Sequence, residues 1–289
     1  MYLSYRGSVN AWECDENNHL NVRFYAEKHW QTLSGGLVGL GLAEHIPSRE
    51  LAHHVNMQHM RFLVESRLAA TLSGYVGIVA VHENAIDVLT ELRHGLSGNP
   101  SSTCIHRLTS PRAAVTDSLV TDSLPVHAQP RGLSDKDVPY ATFPITNTES
   151  FGFQTIGMGA IFDSECDTNG HLQIHHYMGR VSDSMPHLWG LLESAGSNQD
   201  DREGGAVLEY RLRYHQPLSR GQHFRLNSGV VAVAPKVQRF AHLMFNEETQ
   251  ELCLSAEAIA VRMDLGARKA VTLNQARLAQ LRLQLLKAV

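Results

Sequence analysis

With 289 residues and an apolar fraction of 43%, the chain is long enough for one large domain or two ordinary ones, each able to bury its own core. A formal net charge of −4, from 25 basic and 29 acidic residues with no basic block, leaves no electrostatic footprint for nucleic acid or an anionic membrane and points to small-molecule partners. No apolar run reaches the roughly 20 residues that span a bilayer, and MYLSYRGSVNAWECD lacks a secretory pattern, so a cytosolic protein without a membrane span is expected, its four sparse cysteines free thiols.

Taken in chain order, a strand is expected over SYRGSVNAW, followed by the turn ECDENNHLNVRFY at 13–25. A helix then places Val22, Tyr25, His29, Leu33, Gly36 and Leu40 on one face, with Gly35-Gly36 loosening or ending it. Strand-like runs follow at 55–64, 71–82, 85–94 and 102–109. The Pro-rich stretch 111–150 is a connector, opening with a short helix at 112–123. A second strand, TIGMGAIF, leads into ECDTNGHLQIHHY at 165–177 and a helix with Ile174, Tyr177, Val181, Met185, Leu188 and Leu192 on one face. Strand runs at 206–215, 222–234, 237–246 and 251–263 come next, and a terminal helix over 272–289 closes the chain.

The two turns match at a constant shift of 152 residues, which also carries Val55 onto Val207, Arg61 onto Arg213 and Phe62 onto Tyr214. Farther on the register is expected to drift, setting Ser73-Gly74 against Ser228-Gly229. One repeat of this length means a duplicated domain, with boundaries at 1–130, a linker at 131–150 and a second domain at 151–289. Strand, long helix and consecutive antiparallel strands describe an α+β unit in which a sheet wraps around one helix.

The words CDENNHLNVRFY and CDTNGHLQIHHY resemble the signature of hotdog acyl-CoA thioesterases of the 4-hydroxybenzoyl-CoA thioesterase class. That resemblance implies two tandem hotdog domains, each a curved antiparallel sheet around a long central helix, forming a covalent pseudo-dimer with active sites between paired units. It implies carboxylate-dependent hydrolysis of acyl-CoA or acyl carrier protein thioesters, for which no cofactor is expected. The family's catalytic Asp falls on Asp15 and Asp167, and the His after the turn on His19 and His171. Asn17, Asn169 and Asn21 are candidates to touch substrate. Arg61 and Arg213 are candidates either for a carrier phosphate or for flanking a strand. The preceding family acid is Glu13 and Glu165 here, and the turn Gly, kept as Gly170, is Asn18 in the first copy. Asn tolerates a left-handed backbone next best after Gly, so the turn survives. Hotdog pairs often associate further, so a homo-oligomer of pseudo-dimers is an open expectation.

A carboxylate just ahead of a helix meets unpaired backbone amides and the positive dipole end, which keeps Asp15 and Asp167 ionised at neutral pH. Such a group attacks a thioester carbonyl or deprotonates a water that does so, while amides stabilise the oxyanion. The blander reading is an ordinary N-cap, and recurrence of Asp, Asn and His at identical spacing argues against it. Tyr25 and Tyr177 belong to the core face. Cys14 and Cys166 alternate away from the Asp, as buried structural thiols rather than nucleophiles. Asp167, His171 and His175 are spaced like metal ligands, but Arg23 stands where the first copy's third ligand would be. Two other functions compete: a hotdog enoyl-CoA hydratase or dehydratase, whose turn carries a Pro and a His one residue later, and a non-catalytic acyl-CoA-binding module.

Overall fold

The computed structural model describes residues 1–109, 120, 122–133, 148–192 and 203–287. The chain divides into two units, Met1–Arg131 with Gln173–Gly179, and Gly132–Leu172 with Arg180–Val289. The expected helix at 112–123 falls largely outside the described residues.

In the first unit, strand β1 (Tyr2–Ser8) precedes helix α1 (Val22–Gly36), a one-turn helix α2 (Leu51–His54), and strands β2 (Val55–Phe62), β3 (Thr71–Val81), β4 (Ala85–His94) and β5 (Pro100–Thr109). The strands pair antiparallel in the order β1-β3-β4-β5-β2. Helix α1 lies against β1, β3, β4 and β5, burying Tyr25, His29, Leu33 and Gly36. It ends at Gly36, as the Gly pair predicts. The reason is packing as well as propensity, because a Cβ on Gly36 would come within 2.3 Å of the Val76 side chain.

The interface under α1 is also polar. His29 bonds Thr90 Oγ1 at 2.8 Å through Nδ1 and Ser102 Oγ at 2.9 Å through Nε2. Thr90 Oγ1 lies 2.8 Å from His106 Nε2, and Gln58 donates to His106 Nδ1 at 2.9 Å. Burial keeps both imidazoles neutral, holding His29 well below the usual histidine range and His106 at about 3.

The second unit contains β6 (Gln154–Ala160), the part of α3 (Ile174–Leu192) from Arg180 onward, β7 (Glu203–Tyr214), β8 (His223–Val233), β9 (Gln238–Asn246) and β10 (Leu252–Asp264). The antiparallel order is β6-β8-β9-β10-β7, and a two-residue β11 (Lys269–Ala270) pairs with β10. Against β6, Ser184 of α3 sits so close that a Cβ on Gly157 would be 2.3 Å from its Oγ.

The expected register drift does not occur. Tyr5 pairs with Gly74 in the first unit and Gly157 with Leu226 in the second, so the counterpart of Gly74 is Leu226, not Gly229. The irregularities recur at the same offset: Leu3/Tyr5 and Thr155/Gly157, Ile78/Ala80 and Val230/Ala232, Leu92/Arg93 and the paired Met244/Phe245. A one-residue slip would turn every side chain to the opposite face of the sheet, which explains why the shift stays at 152.

Left-handed backbone positions follow the same offset. Asn18 (φ 60°) matches Gly170 (φ 80°), Gly98 (φ 69°) matches Gln250 (φ 62°), and Ala69 (φ 66°) matches Gly221 (φ 78°). Ala69 stores strain that a glycine at the same place avoids. Ala69→Gly is therefore expected to stabilise the protein by about 1 kcal/mol, read as a higher urea midpoint at unchanged slope. A lower midpoint would contradict the strain.

Two segments depart from the expected pattern. Arg61 of β2 donates to the carbonyls of His127 (2.8 Å) and Gln129 (3.1 Å), and Glu209 of β7 accepts from the Gly132 amide at 2.8 Å, so the connector's described ends are anchored. The terminal helix is α4 (Gln275–Leu283), N-capped by Asn274 and burying Leu278 and Leu281. Beyond it the chain is extended rather than helical: the Leu286 amide donates to Val230 O at 2.8 Å, and Leu286 packs with Phe153, Leu243 and Phe245. Among the described residues, no helix is long and apolar enough to cross a membrane.

Candidate functional site

Each acid-bearing turn is a closed loop clasped at its ends by an antiparallel bridge, Cys14 with Leu20 and Cys166 with Leu172. Inside it the Asp backbone exchanges bonds across the loop: Asp15 N donates to His19 O at 2.9 Å and Asn18 N to Asp15 O at 3.0 Å. The second turn repeats this, with Asp167 N to His171 O at 2.8 Å and Gly170 N to Asp167 O at 3.0 Å. Such a tight crossing needs one residue with positive φ, which Asn18 and Gly170 supply as expected.

The carboxylates point back into these loops. Asp15 Oδ1 accepts from the amides of Asn17 (2.9 Å) and His19 (3.4 Å), and Asp167 Oδ1 from those of Asn169 (2.8 Å) and His171 (3.0 Å). These amides come from the turn and not from a helix end: the N-cap of α1 is Asn21, whose side chain accepts from Arg23 N at 2.9 Å. Asp15 and Asp167 are therefore not N-caps; their carboxylates close their own turns. In the first turn Asp15 Oδ2 is also 3.0 Å from His19 Nδ1, both side chains being 13% exposed. Asn17 is buried, whereas Asn169 is exposed.

Beside each turn sits an ion pair that the sequence does not single out. Glu13 is buried against Lys28 of α1 at 2.7 Å and caps the Asn10 amide at 2.8 Å; Glu165 meets Arg180 of α3 at 2.5 Å and caps the Phe162 amide at 3.0 Å. Lys28 and Arg180 stand 152 residues apart, and that coincidence of charge on a core-facing helix was the signal available. These bonds fix the turn's entry to the helix. Tyr25 packs edge-on to Phe62 with ring centroids 5.3 Å apart and accepts from the Ser66 amide at 3.0 Å, a core role.

Neither cysteine of the turns is poised for attack. Partial burial first, and then the neighbouring Asp15 and Glu13, push the Cys14 thiol up, and its Sγ donates to Asn10 O. Burial, with Asp163, Asp167 and Glu165, does the same to Cys166, whose Sγ donates to Phe162 O. Both remain thiols at neutral pH. Arg213, on β7 opposite Ser255 of β10, is partly buried, and Arg61 holds the connector as described above.

Residues 163–281 match the model of the thioesterase-like superfamily. No curated protein sequence matches the chain. Among solved structures, an acyl-ACP thioesterase from Bacteroides thetaiotaomicron is 11% identical, with a TM-score of 0.63 over 89% of this chain and 96% of that one. The 12:0-ACP thioesterase from Umbellularia californica is 13% identical, with a TM-score of 0.60 over 89% and 93%. A tesB protein from Mycobacterium avium subs paratuberculosis is 11% identical, with a TM-score of 0.52 over 89% and 91%. Residues 163–281 thus resemble the thioesterase-like superfamily, and the described chain shares the antiparallel fold of these solved structures.

Proposed function

We propose that the chain is a cytosolic hydrolase of acyl thioesters borne on coenzyme A or acyl carrier protein, built as two tandem hotdog domains at 1–130 and 151–289 joined by 131–150. The observation that carries this reading is the Asp-His turn. Asp15 receives two backbone amides on one oxygen and the His19 ring on the other, which leaves the carboxylate better suited to orienting an imidazole than to attacking carbon. With Nδ1–H turned to Asp15, His19 Nε2 takes the proton from water as the hydroxyl attacks the thioester carbonyl. The tetrahedral intermediate expels a thiolate, which needs no strong acid. Asp167 and His171, held in the same turn, form the second candidate pair, and Asn17, Asn169 and Asn21 lie within the two turns as candidate contacts to substrate. The match of residues 163–281 to the thioesterase-like superfamily and the fold shared with acyl-ACP thioesterases support the same chemistry.

The test is thiol release from a panel of acyl-CoAs and acyl carrier protein thioesters, followed with a thiol-reactive dye, in parallel with enoyl-CoA hydration followed by absorbance. Hydration without thiol release would replace this reading with the hydratase one. Cys14→Ser and Cys166→Ser are expected to keep thiol release within about twofold of the parent chain, because neither thiol is a thiolate at neutral pH. Loss of turnover in either, with the fold intact by circular dichroism, would restore the thiol nucleophile.

A further inference from the structure

Within the second unit, β9 carries His242, fully buried. Its Nδ1 lies 2.7 Å from Ser228 Oγ, while Nε2 is buried with no hydrogen-bond partner among the described residues. The constant register shows how this arises. In the first unit the helix supplies the imidazole, His29, and the strands supply its partners, Thr90 and Ser102. At the same places, 152 residues on, stand Val181, His242 and Leu254. The imidazole has moved from helix to strand, and two of the surrounding positions have become aliphatic, which leaves one ring nitrogen unanswered.

The neighbours define an interior face. Phe240, two residues earlier on the same side of β9, meets Trp189 of α3 edge-on at 5.2 Å, so this side of the strand faces the helix. Tyr210 of β7 stacks on His242 with centroids 5.8 Å apart. Between β7 and β9, β10 presents only Ala256 and Ala258, where β5 carries Cys104 and His106. Burial pulls His242 down to about 3, so the ring is neutral and gives a carboxylate no countercharge. An unsubstituted alkyl chain leaves Nε2 unanswered, whereas a hydroxyl both donates and accepts and so suits either tautomer.

Resting on the thioesterase reading, we propose that His242 is a specificity residue that recognises a hydroxyl on the acyl chain, and that hydroxyacyl thioesters are the preferred substrate class. Val181, the helix position matching His29, stands seven residues past the start of α3, about 10 Å along its axis at 1.5 Å per residue. The recognised oxygen therefore sits several carbons from the thioester rather than beside it.

The experiment compares acyl-CoAs of one chain length, unsubstituted or hydroxylated at successive carbons, by kcat/KM, and measures binding of the matching CoA thioethers by calorimetry. One hydroxylated position is expected to exceed the unsubstituted chain by about tenfold in both readouts. His242→Phe keeps the ring and its stacking and is expected to bring that ratio to about one. Val181→Thr, nearly isosteric, offers Nε2 a partner from the helix as in the first unit and is expected to lower the ratio too. Equal kcat/KM and equal binding across the set in the parent chain would overturn the proposal, leaving His242 with a buried water only. Absence of any turnover would sink the thioesterase reading, while thioether binding would still decide the subsite.

Discussion

Replacing both Asp15 and Asp167 with Asn is expected to lower kcat for acyl-CoA hydrolysis by about 1,000-fold, with thiol release falling to the level of the buffer. The substitution is chosen because Asn keeps an oxygen for the loop amides: Asn17 N and His19 N retain their acceptor in the first turn, and Asn169 N and His171 N in the second. What is lost is the negative charge that orients the His19 ring and stabilises it once it has taken a proton. The effect should thus fall on kcat more than on KM, and circular dichroism should remain unchanged. The single variants apportion the activity. If Asp15→Asn accounts for nearly all of the loss, the first turn, with its 3.0 Å Asp15–His19 contact, is the working one; if Asp167→Asn does, the second pair is. Turnover within threefold of the parent in the double variant would end the carboxylate mechanism.

A steep loss of stability on mild acidification is the second large effect. Burial holds His106, His175 and His242 at about 3, helped at His175 by the nearby His176 and Arg23, and holds His29 well below its ordinary range. Released into the unfolded chain, each takes a proton near pH 6.5. Folded pKa values below the unfolded ones mean that the stability is complete above about 6.5 and drains away as pH falls toward 3. Each imidazole contributes about 1.4 kcal/mol per pH unit across that window, so His106, His175 and His242 together give a slope of about 4 kcal/mol per unit. Two such units remove about 8 kcal/mol, a large part of a total stability of order 5–15 kcal/mol. Thermal unfolding followed from pH 7.5 to 5.0 should show a midpoint falling continuously below 6.5, and a flat profile over that range would show that these rings are not held neutral.

Periodic features were legible in the sequence. Both long helices and all eight strands that follow them lie where the apolar period places them, and the left-handed Asn18 followed from Asn being the best substitute for Gly at such a turn. The acid-bearing turns were found by recurrence, but their internal wiring was not. Nothing in the letters says that Asp15 and Asp167 gather amides from their own loops while Asn21 caps α1. Buried polar partners were hidden for the same reason. His29, Thr90, Ser102 and His106 are separated by strands and become neighbours only through pairing of β4 with β5 under α1. Lys28 and Arg180 escaped notice because a cation on a core-facing stripe is unexpected until the acid that neutralises it is seen. The expected drift beyond Phe62 came from matching the small residues Ser73-Gly74 by type, whereas strand register is set by alternation and bulge position.

Because the bulges, tight turns and strand pairings of the described strands recur at one offset, a side chain on a paired strand or turn of one half has a twin at a known number in the other. The polypeptide therefore carries its own paired control: the same substitution made at two such twins meets one backbone geometry and two chemical surroundings. Differences between the outcomes report what the surroundings contribute, free of the usual uncertainty over whether two proteins superpose.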